Sequence, residues 1–261
     1  MSENFKSQCC FKQGKTPICA IYSFLNGLFY GRKIIFSCKL KKVVTELWKY
    51  ALESKSSNIT TELDSHNTSS LVGEFFNTES LIFFLKSVLN ESKLEKFHSL
   101  LNSIGLDSDN IKIRCIDSVA EFDRELTKSF ENVFYIVPIN ADNTCKNNMH
   151  WICIRKNRIL NSGNFNYLRY ATEWHNNGER HNTLIFFSRA EVVTMFEGIH
   201  TREKSLQFDF HNWAEEERCK LKKEYPSEYQ KRVEKISEVS PCDYYFKYSD
   251  FNVIRVEVDK N

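Results

Sequence analysis

Cys19 and His150 are the residues of this chain whose types and surroundings best fit nucleophilic catalysis. A thiol attacks a carbonyl well only as its thiolate, so it needs a neighbouring imidazole and gains from a helix N-terminus. Pro17 suits the turn that leads into a helix, and residues 20–29 have the composition of that helix. We therefore predict that Cys19 lies at a helix N-terminus and that His150 is its base.

Three further residues could complete the site of a cysteine hydrolase. The side-chain amide of Gln13 could donate to the developing oxyanion together with the main-chain N–H of Cys19. Asn161 could hold the second ring nitrogen of His150 and so fix its tautomer. Trp151 could cover that hydrogen bond and line a substrate cleft, and it could equally be a core aromatic, since the two roles are compatible. Each residue alone also suits a purely structural role, and their joint occurrence favours catalysis.

The remaining cysteines and histidines form no pattern that indicates a metal site. The nine cysteines are odd in number, contain no CxxC pair and have no spacing of a disulfide framework. The six histidines other than His150 have no comparable neighbourhood. We expect most cysteines to be reduced, small core residues, and we expect no metal and no other cofactor.

Length and composition indicate a folded protein with an ordinary core. At 261 residues the chain suits one large domain that needs neither disulfides nor metal. Its 21 Phe, against 8 Gly and 4 Pro, argue against disorder and against a glycine-rich nucleotide-binding architecture. The net charge of +2 gives no general case for nucleic acid or an anionic membrane as partner. No signal peptide and no membrane span are apparent, so we expect a protein of the reducing cytoplasm. We also expect it to be a monomer.

Hydrophobic periodicity predicts helices first and an antiparallel sheet after them, which is an α+β pattern. Helices are predicted at 20–29, within 32–56, and at 77–90, 92–104, 118–130 and 213–236. Strands are predicted at 111–116, 133–137, 151–155, 158–160, 183–187, 244–248 and 253–258. We expect 151–155 and 158–160 to form a hairpin. The last two strands are expected to join the same sheet.

Two motifs contain the candidate catalytic residues. The first motif lies in residues 13–29 and contains glutamine, glycine, cysteine and alanine before the run Leu25-Asn26-Gly27-Leu28. The second lies in residues 150–156 and is followed by Leu160-Asn161-Ser162. Together the two motifs resemble the josephin domain, a papain-like family of deubiquitinating cysteine proteases. The gap from glutamine to cysteine is one residue longer than in the family pattern, and the turn before Asn161 is shorter.

This resemblance implies a papain-like fold in a single catalytic domain, residues 1–261, with its N-terminal helical part packed on the antiparallel sheet. Residues 73–76 are similar to the segment that follows the family's mobile helical arm. Residues 31–72 would then be the counterpart of that arm, which helps to shape the ubiquitin-binding cleft. Residues 91–130 and 168–240 have no family counterpart and are expected to be insertions.

The resemblance further implies a thiol-dependent isopeptidase that removes ubiquitin or a ubiquitin-like modifier from lysines. Cys19, His150 and Asn161 would be its catalytic trio, with Gln13 at the oxyanion. An effector of a parasite, bacterium or virus, delivered into a host cytosol, also fits. The same trio could instead deamidate or transamidate a glutamine of a host protein, because a thioester formed from that side chain follows the same chemistry. A binding module that has kept the fold without the activity is the third hypothesis.

Overall fold

The structure is a computed structural model that describes residues 18–29, 37–53, 75, 77–128, 132–140, 149–156, 167–170, 184–200, 206–208, 244–246 and 248–259. In these ranges the helices are α1 (Cys19–Phe29), α2 (Ser37–Glu53), α3 (Thr78–Asn90), α4 (Glu95–Ser103), α5 (Val119–Thr127) and α6 (Arg189–His200). The strands are β1 (Ile111–Ile116), β2 (Val133–Asn140), β3 (Met149–Lys156), β4 (Tyr167–Tyr170), β5 (Leu184–Phe187), β6 (Leu206–Phe208), β7 (Tyr244–Phe246) and β8 (Val253–Val258). Short 3-10 helices lie at Ser108–Asn110 and Tyr248–Asp250.

Six of these strands form one antiparallel sheet in the order β1-β8-β2-β3-β4-β5. The last strand of the chain, β8, lies between β1 and β2. Ile136 of β2 is opposite Cys153 of β3 on one side and Ile254 of β8 on the other. The α+β class predicted from the sequence is confirmed.

Helices cover both faces of this sheet. On one face, buried residues of α1 to α4 form one cluster. In this cluster Phe24 of α1 contacts Phe134 of β2, with the ring centroids 6.4 Å apart. On the other face, Phe122 of α5 and Phe196 of α6 form a buried cluster with Tyr135 of β2. Successive residues of a strand point to opposite faces, so β2 is buried on both. This double burial explains the near-continuous apolar run that predicted the strand.

Side-chain caps determine where several helices begin. The side chain of Asn77 accepts the main-chain N–H three residues on, at 2.7 Å, and Ser118 does the same for α5 at 3.2 Å. Glu46 of α2 accepts the main-chain N–H of Phe97 in α4 at 2.9 Å. These oxygens satisfy first-turn donors that have no partner within their own helix. The bond from Glu46 also ties α2 to α4.

Two of the predicted strand pairings are wrong. The predicted hairpin of 151–155 with 158–160 is wrong, because residues 153–155 of β3 have β2 on one edge and β4 on the other. Residues 158–160 themselves lie outside the described residues. Of the two C-terminal strands only β8 joins the main sheet, because β7 pairs with β6 in a separate two-stranded sheet. The predicted charged helix over 213–236 lies outside the described residues.

The segment 91–130, expected to be an insertion, is built into the core. It supplies the edge strand β1, the buried Phe97 of α4 on one face and the buried Phe122 of α5 on the other. Whether it is an insertion relative to another family stays a prediction, as does the single catalytic domain. None of the described helices combines the length and the apolar character needed to cross a membrane.

Candidate active site

Cys19 is the first residue of α1, as its position after Pro17 predicted. Its side chain is buried, with 8% of the residue exposed. The first-turn N–H groups of a helix have no partner within the helix and carry a partial positive charge. The sulfur atom is therefore held at the end of the helix that favours a negative charge.

The main chain of Trp151 in β3 contacts this end of α1 through both of its polar groups. Its N–H donates to Sγ of Cys19 at 3.4 Å, and its carbonyl oxygen accepts the hydroxyl of Ser23 at 2.8 Å. Cys19 and Ser23 are four residues apart, so they lie on one face of the helix. In a strand the N–H and C=O of one residue point to the same side, which matches this pair of contacts. The first turn of α1 thus takes the place of a neighbouring strand.

His150 immediately precedes Trp151 and is partly exposed. Standard backbone geometry puts its Cα about 2.4 Å from the Trp151 nitrogen, so Sγ of Cys19 lies within about 6 Å of that Cα. His150 is opposite Ile139, which belongs to the cluster on the α5 and α6 face. Alternation places the imidazole on that face and the Trp151 ring on the α1 face, with the sulfur beside the main chain between them. The fold therefore brings the predicted nucleophile to the strand end that carries the predicted base.

The ring of Trp151 is a core residue. Only 2% of the residue is exposed, its Nε1 donates to the carbonyl oxygen of Phe75 at 2.9 Å, and its ring centroid lies 5.9 Å from that of Phe251. The sequence left open a core role and a role at the site. The structure gives the ring the core role and the main chain the contact with Cys19.

The other end of α1 is also tied to β3. Nη1 of Arg155 donates to the carbonyl oxygen of Gly27 at 2.9 Å, where a cation is favourable near a helix C-terminus. From Cys19 to Gly27 a helix rises about 12 Å, and from Trp151 to Arg155 a strand rises about 13 Å. The two elements thus run side by side, and contacts at both ends fix how far α1 can slide along β3.

Sequence reasoning missed Ser23, Gly27 and Arg155 as residues that set this geometry. A hydroxyl one turn after the nucleophile, in a mostly apolar helix, was the available signal for Ser23. Arg155 gave no signal, because its partner lies 128 residues away. Gln13 and Asn161 lie outside the described residues.

The structure describes the side chains of Cys19, Cys115 and Cys153. Of these, only Cys19 lies at a helix N-terminus. Cys115 lies on β1, and its pKa is raised to about 11 by the desolvation of the thiol and then by the charges of Asp117 and Glu121. Cys153 is buried in the core. Across the described residues, no group of three or more His, Cys, Asp or Glu side chains is placed to hold a metal ion.

Comparison of the chain with protein-family models, with curated proteins and with solved structures finds no match. Function is therefore inferred from the residues of the site. The site contains a thiol at a helix N-terminus and a main-chain N–H of Trp151 that donates to its sulfur. The residue before Trp151, His150, supplies an imidazole. These are the components of thiol-based nucleophilic catalysis.

Proposed function

We propose that this protein is a thiol-dependent isopeptidase with a papain-like fold, which removes ubiquitin or a ubiquitin-like modifier from lysines. One observation carries the thiol chemistry: Sγ of Cys19, at the N-terminus of α1, lies 3.4 Å from the main-chain N–H that directly follows His150. The helix terminus and the N–H both stabilise negative charge on sulfur. The chemistry needs such a thiolate, because the neutral thiol is a poor nucleophile.

In the proposed reaction, His150 takes the proton of the Cys19 thiol as the sulfur attacks the carbonyl carbon of the modifier's C-terminal glycine. The main-chain N–H of Cys19 and the side-chain amide of Gln13 stabilise the tetrahedral oxyanion. His150 then protonates the leaving lysine amine, and a thioester between Cys19 and the modifier remains. Water, deprotonated by His150, hydrolyses that thioester and restores the thiol. Asn161 keeps the imidazole in the tautomer that these steps require.

The choice of ubiquitin or a relative as substrate depends on the motifs. Residues 13–29 and 150–156 resemble the two motifs of the josephin family, in which the same residue types perform deubiquitination. The extended C-terminal tail of ubiquitin is thin, and a narrow cleft beside Cys19 would select glycine there. The proposal includes a monomeric enzyme in the cytoplasm, where the reducing environment keeps Cys19 a thiol.

The test is reaction with a panel of ubiquitin and ubiquitin-like proteins that carry a C-terminal electrophile. The wild-type chain and a Cys115→Ser variant are expected to form a covalent adduct with at least one probe, and Cys19→Ala is expected to form none. Cys115→Ser is the matched control because it removes an exposed thiol of β1, and two strands separate β1 from β3 in the sheet. Adduct formation by Cys19→Ala would refute the assignment of the nucleophile.

The same experiment separates the proposal from its rival, a glutamine deamidase or transglutaminase. That enzyme would form the same kind of thioester but release ammonia instead of a lysine amine. Ammonia release from a glutamine-bearing protein, dependent on Cys19 and without cleavage of ubiquitin chains, would replace the isopeptidase by the deamidase. If no probe reacts and no ammonia is released, the isopeptidase proposal and the deamidase alternative are both wrong.

A further inference from the structure

Ser23 is a buried polar residue whose hydroxyl the proposed chemistry does not use. It is 0% exposed and lies in α1 among apolar side chains. Burial of a hydroxyl is unfavourable unless the group is hydrogen-bonded. A serine within a helix often donates to the carbonyl four residues earlier, which here is that of Cys19. Ser23 instead donates to the carbonyl oxygen of Trp151, 128 residues away in the chain.

This bond acts on the same residue whose N–H contacts the nucleophile. The N–H and the carbonyl of Trp151 belong to the two peptide groups on either side of its Cα. Holding the carbonyl oxygen at 2.8 Å limits rotation about that Cα, and this keeps the N–H directed at Sγ of Cys19. The contacts of Cys19 and Ser23 thus form one two-point attachment of α1 to β3.

We propose that Ser23 is a positioning residue that holds the Trp151 main chain so that its N–H stabilises the Cys19 thiolate. The inference rests on the proposed role of Cys19 as nucleophile. It extends that role in two ways. The Trp151 main-chain N–H is assigned as a donor to the sulfur, and the Ser23 side chain is assigned as the group that orients this N–H. A hydrogen bond to a charged acceptor is stronger than a hydrogen bond to a neutral acceptor. The direction of the Trp151 N–H therefore matters most when the sulfur is ionised.

The pH dependence of Cys19 alkylation tests this inference without any ubiquitin substrate. The full chain is treated with iodoacetamide from pH 5 to pH 10, and the Cys19 peptide is followed by mass spectrometry. Ser23→Ala is expected to move the midpoint upward by about one pH unit, which lowers the thiolate fraction at pH 7 by up to about tenfold. Ser23→Thr keeps the hydroxyl and is expected to follow the wild type.

Ser118→Ala is the matched control. It is the same substitution, and it removes a hydroxyl that caps α5 on the opposite face of the sheet. Loss of a serine cap and loss of the Ser23 bond are expected to destabilise the chain to a similar extent. If Ser118→Ala shifts the Cys19 midpoint as far as Ser23→Ala does, general destabilisation explains the result and the inference is wrong.

The inference is also overturned if Ser23→Ala has the wild-type profile, or if Ser23→Thr behaves like Ser23→Ala. Its failure is distinguishable from failure of the proposed function. A chain that reacts with no ubiquitin probe, yet whose alkylation midpoint depends on the Ser23 hydroxyl, lacks the proposed substrate but retains the positioning role. If the chain reacts with a probe but Ser23→Ala leaves the midpoint of Cys19 alkylation unchanged, the proposed function is supported and the positioning role of Ser23 is wrong.

Discussion

The ring of Phe134 in β2 occupies the space that a side chain at Gly27 of α1 would need. A Cβ built at Gly27 would lie far inside van der Waals contact with Cδ2 and Cε2 of that ring, which is fully buried. Because Gly27 is also the residue whose carbonyl binds Arg155, this close approach of α1 to the sheet coincides with its second attachment to β3. The absent side chain is what lets α1 lie low enough on the sheet for Cys19 to reach Trp151.

Gly27→Ala is expected to lower the free energy of unfolding by about 1–3 kcal/mol, because the buried Phe134 ring has to move. Urea unfolding measures this effect. Gly198→Ala is the control, since a Cβ at Gly198 of α6 meets nothing within 4 Å. That variant should gain about 0.5–1 kcal/mol from the better helix propensity of alanine. Equal effects of the two substitutions would contradict the close packing described for Gly27.

Cys19 and Cys115 are expected to differ widely in their reaction with iodoacetamide. The Cys115 pKa of about 11 leaves only about 0.1% thiolate at pH 8. Its alkylation should therefore be slow near neutrality and rise about tenfold per pH unit until pH 11. Cys19, at its helix terminus, should react fastest of the described thiols at pH 7. Peptide mapping by mass spectrometry after a short pulse checks both, and preferential labelling of Cys115 would contradict the assignment of the nucleophile.

Trp151→Phe separates the ring of this residue from its main chain. The variant loses the indole N–H, so the carbonyl oxygen of Phe75 loses its 2.9 Å donor, and we expect a loss of about 1–3 kcal/mol in stability. The main-chain N–H remains, so the pH profile of Cys19 alkylation should stay close to that of the wild type. Thermal unfolding and the alkylation profile, measured on the same sample, test the two statements independently.

Glu125 of α5 connects three cations at the other face of the sheet. Its carboxylate oxygens lie 2.7 Å from Nζ of Lys128, 3.0 Å from Nε of Arg255 and 3.2 Å from Nη2 of Arg114. Arg114 and Arg255 are directly opposite each other on β1 and β8, a like-charge pair that would repel without this carboxylate. Glu125 therefore offsets part of the repulsion where α5 meets the sheet, and Glu121 beside Arg114 and Glu257 beside Arg255 supply further negative charge.

Glu125→Gln is expected to lower the free energy of unfolding by about 1–3 kcal/mol at neutral pH, since the buried Arg255 loses one carboxylate and keeps only Glu257. Burial raises the pKa of Glu125, but the hydrogen bond from Lys128 and the charges of Arg114, Lys128 and Arg255 outweigh it, so the net pKa is lowered. A lowered pKa in the folded state means that the stabilisation is complete above the ordinary value of 4.5 and is lost as pH falls through the folded value.

Urea unfolding of the wild type and of Glu125→Gln from pH 7 to pH 3 measures this dependence. The difference between the two should be constant above about pH 5.5 and shrink below pH 4.5. Glu95→Gln, an exposed carboxylate at the start of α4, is the control and should change stability by no more than about 0.5 kcal/mol. A difference that grows on acidification would reverse the sign assigned to Glu125.

Elements with strong local patterns were predictable from the sequence. The alternation in residues 111–116 predicted β1, the apolar run over 133–137 predicted most of β2, and the 3.6-residue spacing over 77–90 predicted α3 almost to its ends. In each case burial on one or two faces fixes the side-chain period directly. Strand partners were less predictable, because pairing depends on which edges are free once the whole sheet has assembled. This is why β4 pairs with β3 and β7 pairs with β6, against expectation.

The sequence by itself determined the α+β class, the helix that begins at Cys19 and the strand that carries His150-Trp151, because each depends on residues close together in the chain. Only the tertiary structure decided that the N–H at Cys19 Sγ comes from the Trp151 main chain, and that Ser23, Gly27 and Arg155 hold α1 against β3. These contacts join residues about 130 positions apart, many through backbone atoms that every residue type possesses. The residue types therefore do not predict these contacts, which form only when the helix and the strand pack together.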